Sequence, residues 1–229
     1  MKIHFFIVFL IIFFNSTAAF SQTKPLPSAF QSWNEVQLIL PLVRSKDSKG
    51  KNIDKVTATF NGIARVGRKN LDFLDDRAGL TLDFRVNKYL SLLTGALYRR
   101  DELIENVRRY ETRLDFGATL SKTWRDFSFR DRNMLEHRFR NGRADINLYR
   151  QRIQASYPIN HKNKIIFSPF VSEEGYFDLS SKIWLQNEFF SGITRVINRK
   201  TSIDIAYVRN DSRPVNVNGL SLNLKIRLK

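Results

Sequence analysis

The chain has 229 residues, enough for one domain of substantial size, and its 38 Lys and Arg against 22 Asp and Glu give a formal net charge of +16. A basic excess of this size is typical of proteins that bind nucleic acid, anionic lipid or acidic polysaccharide. The chain contains no cysteine, which excludes disulfides, thiolate metal sites, a cysteine nucleophile and a lipidated N-terminal cysteine.

The N-terminal segment has the form of a secretory signal peptide. Lys2 precedes an apolar block from Phe5 to Phe14, and the small-residue pattern Ala19-Phe20-Ser21 follows it. The block is shorter than the roughly 20 apolar residues that a membrane-spanning helix needs. We therefore expect residues 1–21 to be cleaved and residues 22–229 to form one exported domain, with no nucleic acid partner.

Downstream, apolar and polar residues alternate with a period of two, which predicts β-strands. The alternating runs are, in chain order, Val56 to Val66, Leu80 to Val86, Tyr110 to Trp124, Ile203 to Tyr207 and Leu220 to Leu228. The runs 108–124 and 183–198 are longer than a soluble strand, which usually has about 5–6 residues. A tilted strand that crosses a bilayer needs about 9–11 residues, so these runs are long enough to span a membrane.

Turn signals separate several runs, at Asn87-Lys88, Asn141-Gly142, residues 160–163 and residues 198–200. Longer polar loops are predicted at SKDSKGKN, RRDELIEN, EEGYFDLSSK and NDSRPVNVN. With the signal peptide, these features predict an all-β fold, an antiparallel transmembrane up-and-down β-barrel of about 10–12 strands in the bacterial outer membrane. Eleven candidate strands are present. Because single-chain bacterial barrels normally have an even number, we expect one strand to be split or missed, or the Trp33 strand to lie outside the regular barrel.

The polar faces of the strands are predicted to line the lumen. A soluble barrel turns its apolar face inward, whereas a membrane barrel turns its polar face inward. Here the polar faces carry both charge signs at strand spacing, which allows pairing across a narrow lumen. The apolar faces carry aromatic residues near strand ends, which is typical of interfacial girdles: Trp33, Phe127, Phe129, Phe139, Tyr157, Phe167, Trp184 and Phe189. The predicted lumen-facing residues are Glu111, Arg113, Asp115, Arg130, Arg132, Glu136, Arg138, Arg140, Arg150 and Arg152.

Residues 130–158 show the pattern most clearly, because arginine often recurs at every second position between apolar residues. We interpret them as a hairpin that turns at Asn141-Gly142, with Leu135 facing lipid. Ile146 and Leu148 break the alternation of the return strand, which predicts a bulge or a position above the membrane.

Several stretches resemble a known family. They are the early strand with Trp33, NMLEHRF, YRQRIQASYPI, FSPFVSEEGYFDL, and LQNEFFSGITRVINRKTSIDIAY with Gly192 and Tyr207. In these the chain resembles the bacterial outer-membrane proteins grouped as domain of unknown function 2490, over nearly the whole mature chain. Members usually carry an arginine after QN, where this chain has Glu188. The resemblance implies a barrel fold, no established activity and no functional residue.

The arginine-rich lumen is the main functional signal. Rings of Arg favour anions, so one hypothesis is a narrow anion-preferring pore, with small anions and outer-membrane lipid as partners. The alternative is a closed barrel, filled by paired charges, that anchors extracellular loops which bind a ligand or partner. A periplasmic soluble β-sandwich and a lipid-modifying enzyme rank below both.

No catalytic, cofactor-binding or metal site is predicted. His137, on the lipid-facing side of its strand, has no serine motif with which to act as the base of a lipid hydrolase. Glu173 and Glu174 point to opposite faces of one strand, which argues against an acid pair for glycoside cleavage. A Ca²⁺ site that includes Asp178 matches no known loop spacing. We therefore expect no enzymatic activity and no cofactor, and the sequence leaves the oligomeric state open.

Overall fold

The computed structural model describes residues 28–46, 50, 52–67, 72–104, 107–161, 164–212 and 216–228, so the predicted signal peptide lies outside the described residues. The strands are β1 (Ser28–Lys46), β2 (Asn52–Gly67), β3 (Asp72–Arg85), β4 (Leu90–Ile104), β5 (Val107–Trp124), β6 (Phe127–Arg140), β7 (Ile146–Ser156), β8 (Ile159–His161), β9 (Lys164–Asp178), β10 (Ile183–Val196), β11 (Thr201–Ser212) and β12 (Asn216–Arg227). Across these ranges, no helix is long and apolar enough to cross a membrane.

Eleven of these strands close into a barrel, which confirms the predicted all-β barrel fold. From β1 to β7 and from β9 to β12 each strand pairs antiparallel with the next along the chain, and β7 pairs antiparallel with β9. β12 then pairs with β1 in parallel, from Ser28 opposite Asn216 to Ile39 opposite Arg227. The expectation of an even strand number is therefore wrong, because β1, the Trp33 strand, is a full member of the ring. In an up-and-down ring with an odd number of strands, the first and last strands run in the same direction and can pair only in parallel.

The two ends of the barrel are called here the N-terminal mouth, where β1 begins, and the C-terminal mouth, where β12 ends. A row of directly paired residues, one on each strand, can be followed around the ring. It starts at Val43 on β1, near the C-terminal mouth, and reaches Asp211 on β11, near the N-terminal mouth. A row of paired residues that passes from one mouth to the other means that the strands are strongly tilted against the barrel axis.

The short strand β8 continues the line of β7 after a break at Tyr157-Pro158. Proline has no backbone N–H and cannot donate to the ladder. The N–H of Tyr157 still donates to the carbonyl of Pro169 at 3.1 Å, and β8 then resumes the pairing with β9. β7 and β8 therefore occupy one position in the ring.

The connections between strands are short at both mouths, with two to five residues each. Three of the four stretches predicted as longer loops, RRDELIEN, EEGYFDLSSK and NDSRPVNVN, are mostly strand, so the prediction is wrong for them. Half of SKDSKGKN lies outside the described residues. For example, residues 99–104 belong to β4 and residues 173–178 to β9. The polar residues there were misleading because half of them face the inside of the barrel: Asp101 and Glu174 are each only 1% exposed.

Burial in this barrel is inverted relative to a soluble protein. Glu111, Arg113 and Glu136 are buried, whereas Leu114 and Leu135 on the opposite face of the same strands are about half exposed. Charged side chains are almost never fully buried in soluble proteins unless they are paired. The inner face is therefore the polar one, as a membrane barrel requires.

Most of the exposed aromatic residues lie near one of the two mouths and form a girdle there, whereas Phe60, Phe116 and Tyr207 are exposed at mid-strand. Near the N-terminal mouth lie Phe30, Tyr98, Tyr110, Phe139 and Trp184, and near the C-terminal mouth lie Phe84, Tyr89, Trp124 and Phe129. Neighbours reinforce both girdles: Phe177 contacts Trp184 with ring centroids 5.3 Å apart, and Phe127 contacts Tyr157 at 5.0 Å.

Trp33 is not a girdle residue, so that part of the prediction is wrong. It is 5% exposed and points into the barrel, where it forms a small apolar cluster with Val208, Val217 and Phe190 near the N-terminal mouth. A cation–π contact stabilises this inward position in addition to the apolar packing, because the Arg65 guanidinium lies over the indole ring, 3.4 Å from its centroid.

Candidate functional site: the charged lumen

The structure places the ten predicted residues on the inner face of β5, β6 and β7. The register between these strands has no bulge, so Arg113 lies opposite Arg138 and Arg132 opposite Arg152. Arg130 is exposed near the C-terminal mouth. The others are buried or half-buried: Glu111, Arg113, Asp115, Arg132, Glu136, Arg138, Arg140, Arg150 and Arg152.

The start of β7 keeps the regular alternation of inward and outward side chains. Leu148 lies opposite Glu136, is 1% exposed and follows an unshifted register. The prediction of a bulge or of a position above the membrane at Ile146 and Leu148 is therefore wrong. An apolar residue fits on the inner face because the barrel interior is packed here, and Leu148 fills space between charged neighbours.

One carboxylate at the centre of the lumen, that of Glu136, binds arginines from three strands. Arg138 Nε lies 2.5 Å from Glu136 Oε1, and Arg150 Nη1 pairs with Glu136 Oε2. Arg113 Nη1 lies 3.9 Å from Glu136 Oε2, and Arg113 Nε donates to Glu111 Oε1 at 2.6 Å. These contacts join β5, β6 and β7 through a single buried charge network.

A second buried carboxylate, that of Glu174 on β9, also binds three arginines. Arg132 Nη2 and Arg150 Nη2 lie 3.1 and 2.9 Å from Glu174 Oε1. Arg152 Nη2 lies 2.9 Å from Glu174 Oε2. Arg150 therefore bridges the two carboxylate centres, and the network is continuous from β5 to β9.

The network extends to residues that the sequence analysis did not single out. Asp75 accepts from Arg77 Nε at 2.9 Å and pairs with Arg99 Nη2 at 3.2 Å. Arg65 on β2 reaches Glu188 on β10 at 3.9 Å, and these strands are not neighbours in the ring. This contact therefore crosses the lumen.

A signal for these residues was present in the sequence. Arg65 lies on the polar side of a recognised strand, and Asp75 and Arg77 continue the alternation that includes Asp83 and Arg85. Extending the run that begins at Leu80 by five residues toward the N-terminus would have reached Arg77 and Asp75. Their partners, in contrast, depend on how the ring closes.

The carboxylates in the middle of the lumen are buried. The side chains of Glu136 and Glu174 are at most 1% exposed, and the neighbouring Tyr176 is buried, with its hydroxyl 3.2 Å from Glu188 Oε2. In a water-filled channel such side chains would be solvated. Paired charges, Tyr176 and Leu148 are packed together at this level of the barrel.

Toward the C-terminal mouth, the charge network contains more arginines than carboxylates. Arg130, Arg132, Arg152 and Gln154 line a small recess there, with a cavity volume of about 30 Å³. This group is called the arginine recess below. In this recess Arg132 and Arg152 share one carboxylate, that of Glu174.

The outer face also carries a group of polar residues, on β6, β7, β9 and β10. Gln151 Nε2 donates to Asp131 at 3.2 Å, Asn187 Nδ2 donates to Glu173 at 2.8 Å, and the Tyr149 hydroxyl bonds to Asn133. These pairs satisfy one another laterally, which lowers the free energy of placing polar groups on an otherwise apolar surface.

His137 and Asp178, which were considered above as a catalytic base and as a Ca²⁺ ligand, make hydrogen bonds within the fold. His137 Nδ1 lies 2.7 Å from Asn147 Oδ1, and its ring packs edge-on against Phe139. Asp178 closes the β9–β10 turn: the Ser181 hydroxyl donates to it at 2.7 Å and the Ser180 N–H at 2.8 Å. These hydrogen bonds, that of Ser181 foremost, lower the pKa of the Asp178 carboxyl.

Comparison with known proteins identifies one family. The model of the family described as "Protein of unknown function (DUF2490)" matches residues 30–216, which confirms the predicted resemblance. No curated protein and no solved structure matches the chain.

Proposed function

Because the chain belongs to the DUF2490 family, which is described only as of unknown function, we propose its role from the geometry. It is an outer-membrane β-barrel whose lumen is closed by ion pairs, exported through the signal peptide predicted at residues 1–21. The observation that carries this proposal is the pair of aromatic girdles around a barrel with a charged interior.

The spacing of the girdles supports membrane insertion. Phe129 and Phe139 lie ten residues apart on the outer face of β6. At about 3.3 Å per residue they are about 33 Å apart along the strand. A strand tilt of roughly 35–45° reduces this to about 25 Å along the barrel axis, the height of the apolar band of known outer-membrane barrels.

The packing of the lumen supports a barrel that does not conduct passively. An ion that crosses the barrel would have to displace arginines that are held by Glu136 and Glu174. Breaking such pairs is costly because it leaves buried charges uncompensated. The protein would therefore serve as a membrane scaffold that binds its partners at the two mouths, since the connections are too short to form large binding loops.

Membrane insertion is testable with the three tryptophans of the chain, Trp33, Trp124 and Trp184. Trp124 and Trp184 are 57% and 67% exposed on the outer face, and Trp33 is 5% exposed inside. We would prepare three variants that each retain one tryptophan and replace the others with Phe, and reconstitute them in vesicles of brominated phospholipid. Brominated acyl chains should quench Trp124 and Trp184 and leave Trp33 bright. Equal brightness of all three in brominated and ordinary lipid would overturn the proposal and favour a soluble barrel.

Closure of the lumen is testable by planar-bilayer recording of the mature chain in a KCl gradient. We expect insertion, shown by heat-modifiable migration of the same sample on a gel, without discrete conductance steps. Discrete steps would refute the closed lumen.

The second candidate function is the narrow anion-preferring pathway, and the cation excess of the arginine recess favours it. If steps with an anion-selective reversal potential are seen, replacing Arg132, Arg138 and Arg152 with Gln should reduce that selectivity. The control is Arg85→Gln, which removes one charge near the C-terminal mouth, where Arg132 and Arg152 also lie, but outside the recess. Selectivity that is equal in the triple variant and in the control would show that the lumen arginines do not set it.

A further inference from the structure

The arginine recess contains more positive charge than its surroundings neutralise. Glu174 is the carboxylate that pairs with Arg132 and Arg152, and it also pairs with Arg150. Among the described residues, no carboxylate lies within ion-pair distance of Arg130. The carboxylate that acts on it electrostatically, Asp83 on β3, is beyond that distance.

The backbone register forces these cations together. Arg132 and Arg152 are direct neighbours on paired strands, and Arg130 lies two residues from Arg132 on the same face, opposite Gln154. Like charges that face each other across a ladder repel. Arg132 and Arg152 share the carboxylate of Glu174, so the three guanidinium groups together carry more positive charge than that carboxylate neutralises.

Two hydrogen-bond donors of the recess arginines also lack an acceptor. The Nε atoms of Arg132 and Arg152 are buried and have no hydrogen-bond partner in the protein. Buried donors in native structures normally have a partner, and a guanidinium presents several donors in a fixed planar arrangement. That arrangement matches the oxygens of phosphate or sulfate in two-point contacts.

We propose that the arginine recess binds a tetrahedral oxyanion, phosphate or sulfate, either free or as the terminal group of a small phosphate ester. Its cavity of about 30 Å³ has room for two or three oxygen-sized groups at about 10–15 Å³ each, so part of the oxyanion enters between the guanidinium groups and the rest faces the mouth. Arg130 is exposed toward the C-terminal mouth, so the ligand enters from that side. Gln154 supplies an amide donor, and the wall formed by β6 and β7 separates the site from lipid.

Binding is measured by isothermal titration calorimetry, and by the shift of the thermal unfolding midpoint, on the mature chain in detergent. The probes are sodium phosphate, sodium sulfate and glycerol phosphate, each compared with NaCl at equal ionic strength. Arg130→Gln is the test variant, because Arg130 makes no ion pair with any residue that the structure describes, so its replacement breaks none of these pairs. Arg85→Gln is the matched control at the same mouth, where Arg85 donates to the carbonyl oxygen of Asn87.

Phosphate and sulfate should stabilise the wild type and Arg85→Gln beyond the effect of chloride, and Arg130→Gln should bind at least ten-fold more weakly. Arg130→Lys, which keeps the charge and loses the planar donor arrangement, should lie between them and serves if Arg130→Gln fails to fold. Binding of glycerol phosphate as tight as that of phosphate would identify a terminal phosphate as the ligand, and weaker binding a free ion. Stabilisation by oxyanions that equals that of chloride, or that persists in Arg130→Gln, overturns the proposal. Neither result bears on membrane insertion, because the assay contains no bilayer.

Discussion

Replacing Glu174 with Gln is the sharpest single test of the lumen network. The substitution keeps the size of the side chain and removes its charge. Arg132, Arg150 and Arg152 all lie within 3.1 Å of a carboxylate oxygen of Glu174, whose side chain is 1% exposed. An amide in that place accepts through one oxygen only, and its NH₂ group faces arginine donors. Removing one partner of a buried ion pair costs about 3–5 kcal/mol, because the other charge stays buried and unpaired.

The assay is equilibrium unfolding by urea of protein reconstituted in lipid vesicles, followed by tryptophan fluorescence, with unfolding and refolding curves shown to coincide. The matched control is Glu173→Gln, the neighbouring residue on the outer face, which accepts one hydrogen bond from Asn187. We expect a loss of about 3–5 kcal/mol for Glu174→Gln and of about 1 kcal/mol for Glu173→Gln. If the two variants lose equal amounts, the inner network does not dominate the stability of this part of the barrel, and the reasoning fails.

Three further outcomes follow from the fold. Trp33→Ala should cost about 3–5 kcal/mol in the same unfolding assay, and Trp184→Ala, on the exposed outer face, clearly less; equal losses would contradict the inward position of Trp33. Gly192→Val should prevent folding, because its Cβ would collide with the Ile205 carbonyl oxygen and lie 2.5 Å from the Ala206 Cβ, whereas Gly62→Val, with nothing within 4 Å of the added Cβ, should fold; heat-modifiable migration distinguishes the two. Asp178→Asn should lose stability at neutral pH, by about 0.5–1.5 kcal/mol for each weakened turn hydrogen bond. Because the folded pKa of Asp178 is lowered, its contribution is present above the unfolded pKa and is lost as pH falls through the folded pKa, so wild type and variant should converge in strong acid; a gap that stays constant down to that range would contradict the assignment.

The alternation of residues was sufficient to predict the barrel and the inner face of β5, β6 and β7. Side chains on a strand alternate strictly, so Glu111, Arg113 and Arg138 could be placed on one face without knowledge of their partners. Closure could not be predicted in the same way. Pairing of β1 with β12 brings together residues such as Ser28 and Asn216 from opposite ends of the chain, and no local pattern records it.

The wrong predictions share a physical cause. Polar stretches such as RRDELIEN were interpreted as loops because polar residues usually meet solvent, whereas Asp101 meets Arg99 inside the barrel at 3.5 Å. Trp33 was placed in a girdle because tryptophan near a strand end usually marks the membrane interface. Its inward position depends on Arg65 of the next strand, and that contact becomes visible only in three dimensions.

The parallel seam between β1 and β12 has a consequence for where the two ends of the chain emerge. In a barrel with an even number of strands, both chain ends leave the barrel at the same mouth. Here, whatever chain precedes Ser28 and whatever follows Arg227 leave at opposite mouths. In a membrane, one end of the polypeptide would face the periplasm and the other the cell exterior, so reporters fused to the two ends would give opposite answers about topology. Gain or loss of a whole hairpin during evolution would preserve this arrangement, and only the gain or loss of a single strand would reverse it.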